Sequence, residues 1–133
     1  MPFPRQRKLD VVGLSLSDRT AYLCEVSTHL GGLEYGGGGA TDSVARIRKK
    51  HGRQRAYARR YLTTFRRQRF MFWSPVVRRG LLAPLGAIRG LELVVNGDYS
   101  ARVRDLEGRA RGTTRDAGNP FFRALQILAH LRG

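Results

Sequence analysis

The amino-acid sequence predicts an α/β layered domain with mixed strand directions. Two observations carry that reading. Alternating apolar runs flank a short polar turn near the start, and a long stretch with apolar residues at helical spacing follows. Two further β-like runs and two amphipathic helical stretches complete the order: two strands, long helix, strand, strand, helix, helix. At 133 residues the expected organisation is a basic tail over residues 1–8 and a single domain over residues 9–133.

Residues 9–16 and 20–27 read as strands, and Ser17-Asp18-Arg19 between them is short and polar, so a β-hairpin is the simple connection. Residues 31–39 are rich in glycine but lack the Gly-Lys-Ser/Thr ending of a phosphate loop. A helix follows, capped by Thr41, Asp42 or Ser43. Val44, Ile47, His51, Ala58, Tyr61, Leu62 and Phe65 recur at spacings of three, four and seven, and Gly52 weakens the middle without ending the pattern. Tyr57, Tyr61 and Phe65 have the spacing of a core stripe, which is preferred over a role in stacking bases.

Residues 70–77 read as a third strand, with Pro75 placing it at an edge or marking its end. A short helical or irregular piece over 80–88 leads to a strand over 91–95 that stops at the turn Asn96-Gly97. Tyr99, Val103, Leu106 and Ala110 suggest an amphipathic helix. Asn119 and Pro120 mark the start of the last helix by N-cap and N1 chemistry, and Phe121, Phe122, Leu125, Leu128 and Leu131 are its apolar stripe.

The chain holds 25 Lys and Arg against 10 Asp and Glu, a formal net charge of +15, which favours a polyanionic partner. The excess is concentrated: residues 43–91 contain no acid. Arg46, Arg53, Arg55, Arg59, Arg60, Arg66 and Arg67 in that block are candidate phosphate contacts, because arginine forks suit phosphate oxygens. An arginine-rich surface that reflects genome composition is the plain alternative. The one cysteine, Cys24, excludes an internal disulfide framework and a thiolate zinc site. No apolar run is long enough to span a bilayer, and the first residues lack the apolar stretch of a secretory signal. The expectation is an intracellular, cytoplasmic protein, associated with the nucleoid if DNA is its partner. His29, His51 and His130 show no metal-ligand spacing and read as structural or surface residues, although His29 follows the second strand closely enough to reach a site formed there.

The informative chemistry lies in the hairpin. A turn centred on Ser17 and Asp18 sets Asp10 opposite Glu25, with Cβ atoms about 4.5–5.5 Å apart. Alternation puts Val12, Leu14 and Leu16 on the Asp10 face, puts Ala21, Leu23 and Ser27 on the Glu25 face, and turns Cys24 away. Opposed like charges need a neutralising partner, and Mg²⁺ takes one or two carboxylates with phosphate oxygens and waters. A register shifted by one, or an arginine beside each acid, would remove the need for a metal.

Leu9-Asp10-Val11-Val12 and the run from Ala21 to His29 together resemble the D…E-V-K-T-R core of the PD-(D/E)xK nuclease superfamily, in its small Holliday-junction-resolvase-like, restriction-endonuclease-like branch. The glycine-rich loop fits, and Lys50, Arg53, Ala58 and Tyr61-Leu62 resemble that branch's K-x-x-R…A…Y-L helix. The likeness covers residues 8–65. It implies a restriction-endonuclease-like three-layer core with a mixed sheet of about four strands flanked by helices. It also implies a Mg²⁺ (or Mn²⁺) site on Asp10, Glu25 and the Val26 backbone, and endonuclease action on DNA in repair or recombination.

This sequence departs from the family in two places. Ser27 stands where the family has the lysine thought to position or activate water; Lys49 or Lys50 is the candidate replacement. The family's leading helix and strand are missing before Asp10, so the N-terminal element is shortened. Either the hairpin edge is open, or the chain forms a homodimer across it, or the start lies further upstream. Two other functions compete. One is a catalytically inactive nucleic-acid-binding module on a nuclease scaffold, as a subunit of a larger complex. The other is a basic RNA- or ribosome-associated protein. DNA is favoured over RNA.

Overall fold

The computed structural model describes residues 9–27, 39–112 and 120–132. These fall into two compact units divided between Asn96 and Gly97. In the first unit, β1 (Val11–Ser15), β2 (Thr20–Val26), β3 (Arg67–Ser74) and β4 (Leu91–Val95) form one sheet in sequential order. β1 and β2 pair antiparallel, whereas β2–β3 and β3–β4 are parallel. Parallel neighbours need a crossover, and α1 (Gly39–Tyr61) and α2 (Arg79–Gly86) supply the two helices. The fold is therefore α/β with a mixed four-stranded sheet.

The hairpin register agrees with the sequence reading: Val11 faces Cys24, Val12 faces Leu23 and Leu14 faces Ala21. The polar turn sets this pairing, with the Thr20 amide donating to Asp18 Oδ1 at 3.2 Å and Arg19 at a φ of 55°. β1 is an edge strand, and Val11, Val12 and Leu14 are exposed along it.

β3 corrects the expected strand over 70–77. It starts at Arg67 and stops at Ser74, because Pro75 has no amide to continue the ladder. The charged start of β3 is held by its neighbours. Gln68 donates to the carbonyls of Leu62 and Phe65, and Arg69 makes a bidentate contact with Glu92 at 2.7 and 2.9 Å. β4 matches its expected span, entered from Gly90 at a φ of 81° and left through Asn96 at a φ of 54°. Asn96 clamps the start of α2 by accepting from the Val77 amide at 2.7 Å and donating to the Val77 carbonyl at 3.1 Å. The 80–88 piece is helical over Arg79–Gly86 despite Pro84.

One face of the sheet carries the core. Ile47 of α1, Phe72 of β3 and Leu81 and Leu85 of α2 pack with Val77 and Ile88, and Leu91, Leu93 and Val95 of β4 border them. Ala21, Leu23, Ala58 and Leu62 form a second cluster nearer the hairpin, with Leu9, Phe65 and Phe70 against it. Gln54 lies between the clusters, almost fully buried, and its amide donates to the carbonyls of Leu23 and Met71 at 3.0 and 3.3 Å. His51 is also buried, bonded to the Arg89 carbonyl at 3.1 Å and edge-on to Phe70, the structural role expected of it.

Three expectations for α1 change. The helix begins at Gly39, so Asp42 lies inside its first turn and not at a cap, where its charge suits the helix N-terminus. Tyr57 and Tyr61 are 37% and 59% exposed and lie outside the core. Phe65 is half-buried beyond the helix end. The apolar stripe of the helix is complete with Ile47, Ala58 and Leu62, so the two tyrosines fall beside it.

The second unit consists of α3 (Gly97–Arg111) and α4 (Pro120–Leu131). Ala110 and Ala129 are buried in it, Arg111 donates to the Ala129 carbonyl at 3.3 Å, and Arg132 pairs with Glu107. The basic tail, His29, the glycine-rich run through Gly38 and the Asn119 cap lie outside the described residues. No helix among the described residues is long and apolar enough to cross a membrane.

Candidate functional site

Continuing the β1–β2 register by one step sets Asp10 across from Glu25 at the open end of the hairpin. Asp10 is held there by the Val26 amide, which donates to its Oδ2 at 2.9 Å. Glu25 is on the sheet face that packs under α1, and its side chain is 8% exposed. Lys50 reaches down from α1 and places its ammonium on Glu25 Oε1. The Glu25 carboxyl is pushed above its ordinary value chiefly by burial; Lys50 opposes the shift, and the nearby Asp10 carboxylate adds to it. Two acids and one lysine therefore share a single small site.

The donor set suits a hard cation: Asp10 is exposed, Glu25 lies beside it, and both offer carboxylate oxygens. The Ser27 hydroxyl, on the Glu25 face by alternation, is buried with no hydrogen-bond partner among the described residues. Its amide donates to the Trp73 carbonyl at 2.9 Å, extending the β2–β3 pairing past the strand end. No group of three or more His, Cys, Asp or Glu gathers among the described residues, so two carboxylates are the acidic part of this set.

The structure separates the basic candidates. Of the adjacent lysines, Lys50 enters the site and Lys49 is exposed on another side of α1. At about 100° per residue, Arg46, Arg53 and Arg60 lie within about 80° of Lys50 on one flank, whereas Arg55 and Arg59 are turned away by about 140° and 180°. Arg66 and Arg67 are exposed at the start of β3. The expected arginines therefore do not share one face of α1. Cys24 faces the opposite side of the sheet, half-buried, and burial raises its thiol above the ordinary range, against a nucleophilic role. Gln54 was not singled out from the sequence, although its seven-residue spacing from Ile47 marks it as inward-facing.

Neither protein-family models nor curated proteins nor solved structures match this chain.

Proposed function

We propose that this chain is a nuclease-like protein acting on DNA phosphodiester bonds with the help of Mg²⁺ or Mn²⁺. The observation that carries the reading is the convergence of Asp10, Glu25 and Lys50 at one end of the hairpin, beside the basic flank of α1. Asp10 and Glu25 would hold the cation, with the Val26 backbone next to them. Such a cation, when bound, activates water and stabilises the leaving oxygen. Lys50 occupies the space above Glu25 and takes the part assigned to the family's motif lysine, whose position Ser27 fills. Arg46, Arg53 and Arg60 would hold the strand by its phosphates. The restriction-endonuclease-like three-layer core belongs to the same proposal, supported by the antiparallel hairpin followed by a helix and a parallel strand.

A second reading has its own observation. The Lys50 ammonium already neutralises part of the acidic pair, which supports a binding module that needs no metal. Cleavage of plasmid, single-stranded and branched DNA with Mg²⁺ or Mn²⁺ separates the two. The nuclease reading expects metal-dependent cleavage that an Asp10→Ala/Glu25→Ala double variant abolishes. Salt-sensitive binding with no cleavage in either metal selects the module.

A further inference from the structure

Tyr57 and Tyr61 lie against each other in the solvent-exposed part of α1, with ring centroids 4.8 Å apart and planes tilted by 48°. The Arg60 guanidinium lies 5.3 Å from the Tyr61 ring centre. The buried face of the helix is filled by Ile47, His51, Gln54, Ala58 and Leu62 without either ring. Two adjacent, solvent-exposed aromatics thus sit on the most basic helix among the described residues.

Their position relative to the acidic pair is specific. Helical geometry puts Tyr57 and Tyr61 within about 20° of Lys50, on the same stripe, about 10 and 16 Å further along the axis. Arg53 and Arg60 flank that stripe. A strand whose scissile phosphate lies at Asp10 and Glu25 meets positive charge and then two exposed rings as it follows α1. A duplex keeps its base faces stacked inside and offers the helix phosphates and base edges but no π-faces. An unpaired strand presents phosphates for the arginines and π-faces for the tyrosines, the combination that single-strand binders use.

We infer that the Tyr57–Tyr61 pair is a stacking platform for unpaired nucleotides, so that the ligand class is nucleic acid with a single-stranded segment beside the cut or contact site. This deepens the proposed function and rests on its choice of nucleic acid as partner. The test is equilibrium binding of the full chain, in EDTA to prevent cleavage, to a labelled oligo(dT) and to a blunt duplex with the same number of phosphates. Tyr57→Ala/Tyr61→Ala is expected to weaken oligo(dT) binding about tenfold or more and to leave duplex binding nearly unchanged. Tyr57→Phe/Tyr61→Phe, which keeps the π-faces, retains wild-type affinity. If the alanine variant loses both probes equally, or loses neither, the inference is overturned and the nucleic-acid reading stands. If the wild-type chain binds neither probe, both fall. A thermal melt of each variant separates loss of binding from loss of the helix, since removing an i,i+4 ring pair with only a helix-supporting role would lower Tm and leave the ratio of the two affinities unchanged.

Discussion

The ammonium of Lys50 in α1 rests on the buried carboxylate of Glu25 in β2, joining two elements across 25 residues of chain. This contact ties the helix to the acidic pair and raises the question of what happens to the pair without it.

Lys50→Met removes the ammonium that contacts Glu25 and leaves that carboxyl buried beside Asp10. We expect stability in EDTA to fall by about 1–3 kcal/mol, the usual loss when a charged hydrogen-bond partner is removed. If the acids bind a metal, Mg²⁺ or Mn²⁺ should raise the Tm of this variant more than that of the wild type, because the ion takes over neutralisation. Thermal melts with and without metal report both effects. No metal-dependent rise in either protein would count against a metal site here.

Glu25 also governs a pH effect. Its folded pKa is raised from the ordinary 4.5, so between that value and the raised one the folded state holds the proton more often than the unfolded state. The Glu25 contribution to stability therefore falls as pH rises through that window. Glu25→Gln, measured in EDTA, should melt above the wild type at pH 7, and the difference should shrink as pH falls towards 4.5. A difference of the opposite sign at pH 7 would mean that the Lys50 pair outweighs burial.

Gln54→Leu preserves shape but leaves the Leu23 and Met71 carbonyls without their side-chain donor. The expected cost is about 1–3 kcal/mol by chemical denaturation. An unchanged midpoint would show that both carbonyls find other partners.

Asn96 combines a left-handed backbone with two bonds to Val77. Asn96→Gly loses the bonds and keeps the turn, whereas Asn96→Ala loses both, so alanine should be the less stable by about 1 kcal/mol. Equal melting of the two variants would show that the φ of 54° carries no strain.

Short-range chemistry was legible in the sequence. The turn at Ser17-Asp18 fixes the hairpin pairing, so the opposition of Asp10 and Glu25 follows from counting residues. Gly90 and Asn96, both at positive φ, bracket β4 where it was expected. The start of β3 was not legible. Arg67, Gln68 and Arg69 look like loop residues until Glu92 and the carbonyls of Leu62 and Phe65 are placed around them.

By itself, then, the sequence determined the order of the elements, the acidic pair and the acid-free basic block, because turns, alternation and charge runs act over a few residues. Only the tertiary structure decided that Lys50 and not Lys49 meets Glu25, and that Tyr57 and Tyr61 stay in water. Adjacent helical residues point about 100° apart, so these outcomes depend on how α1 is rotated about its own axis. That rotation is set by the burial of Ile47, Gln54, Ala58 and Leu62 against strands distant in the chain.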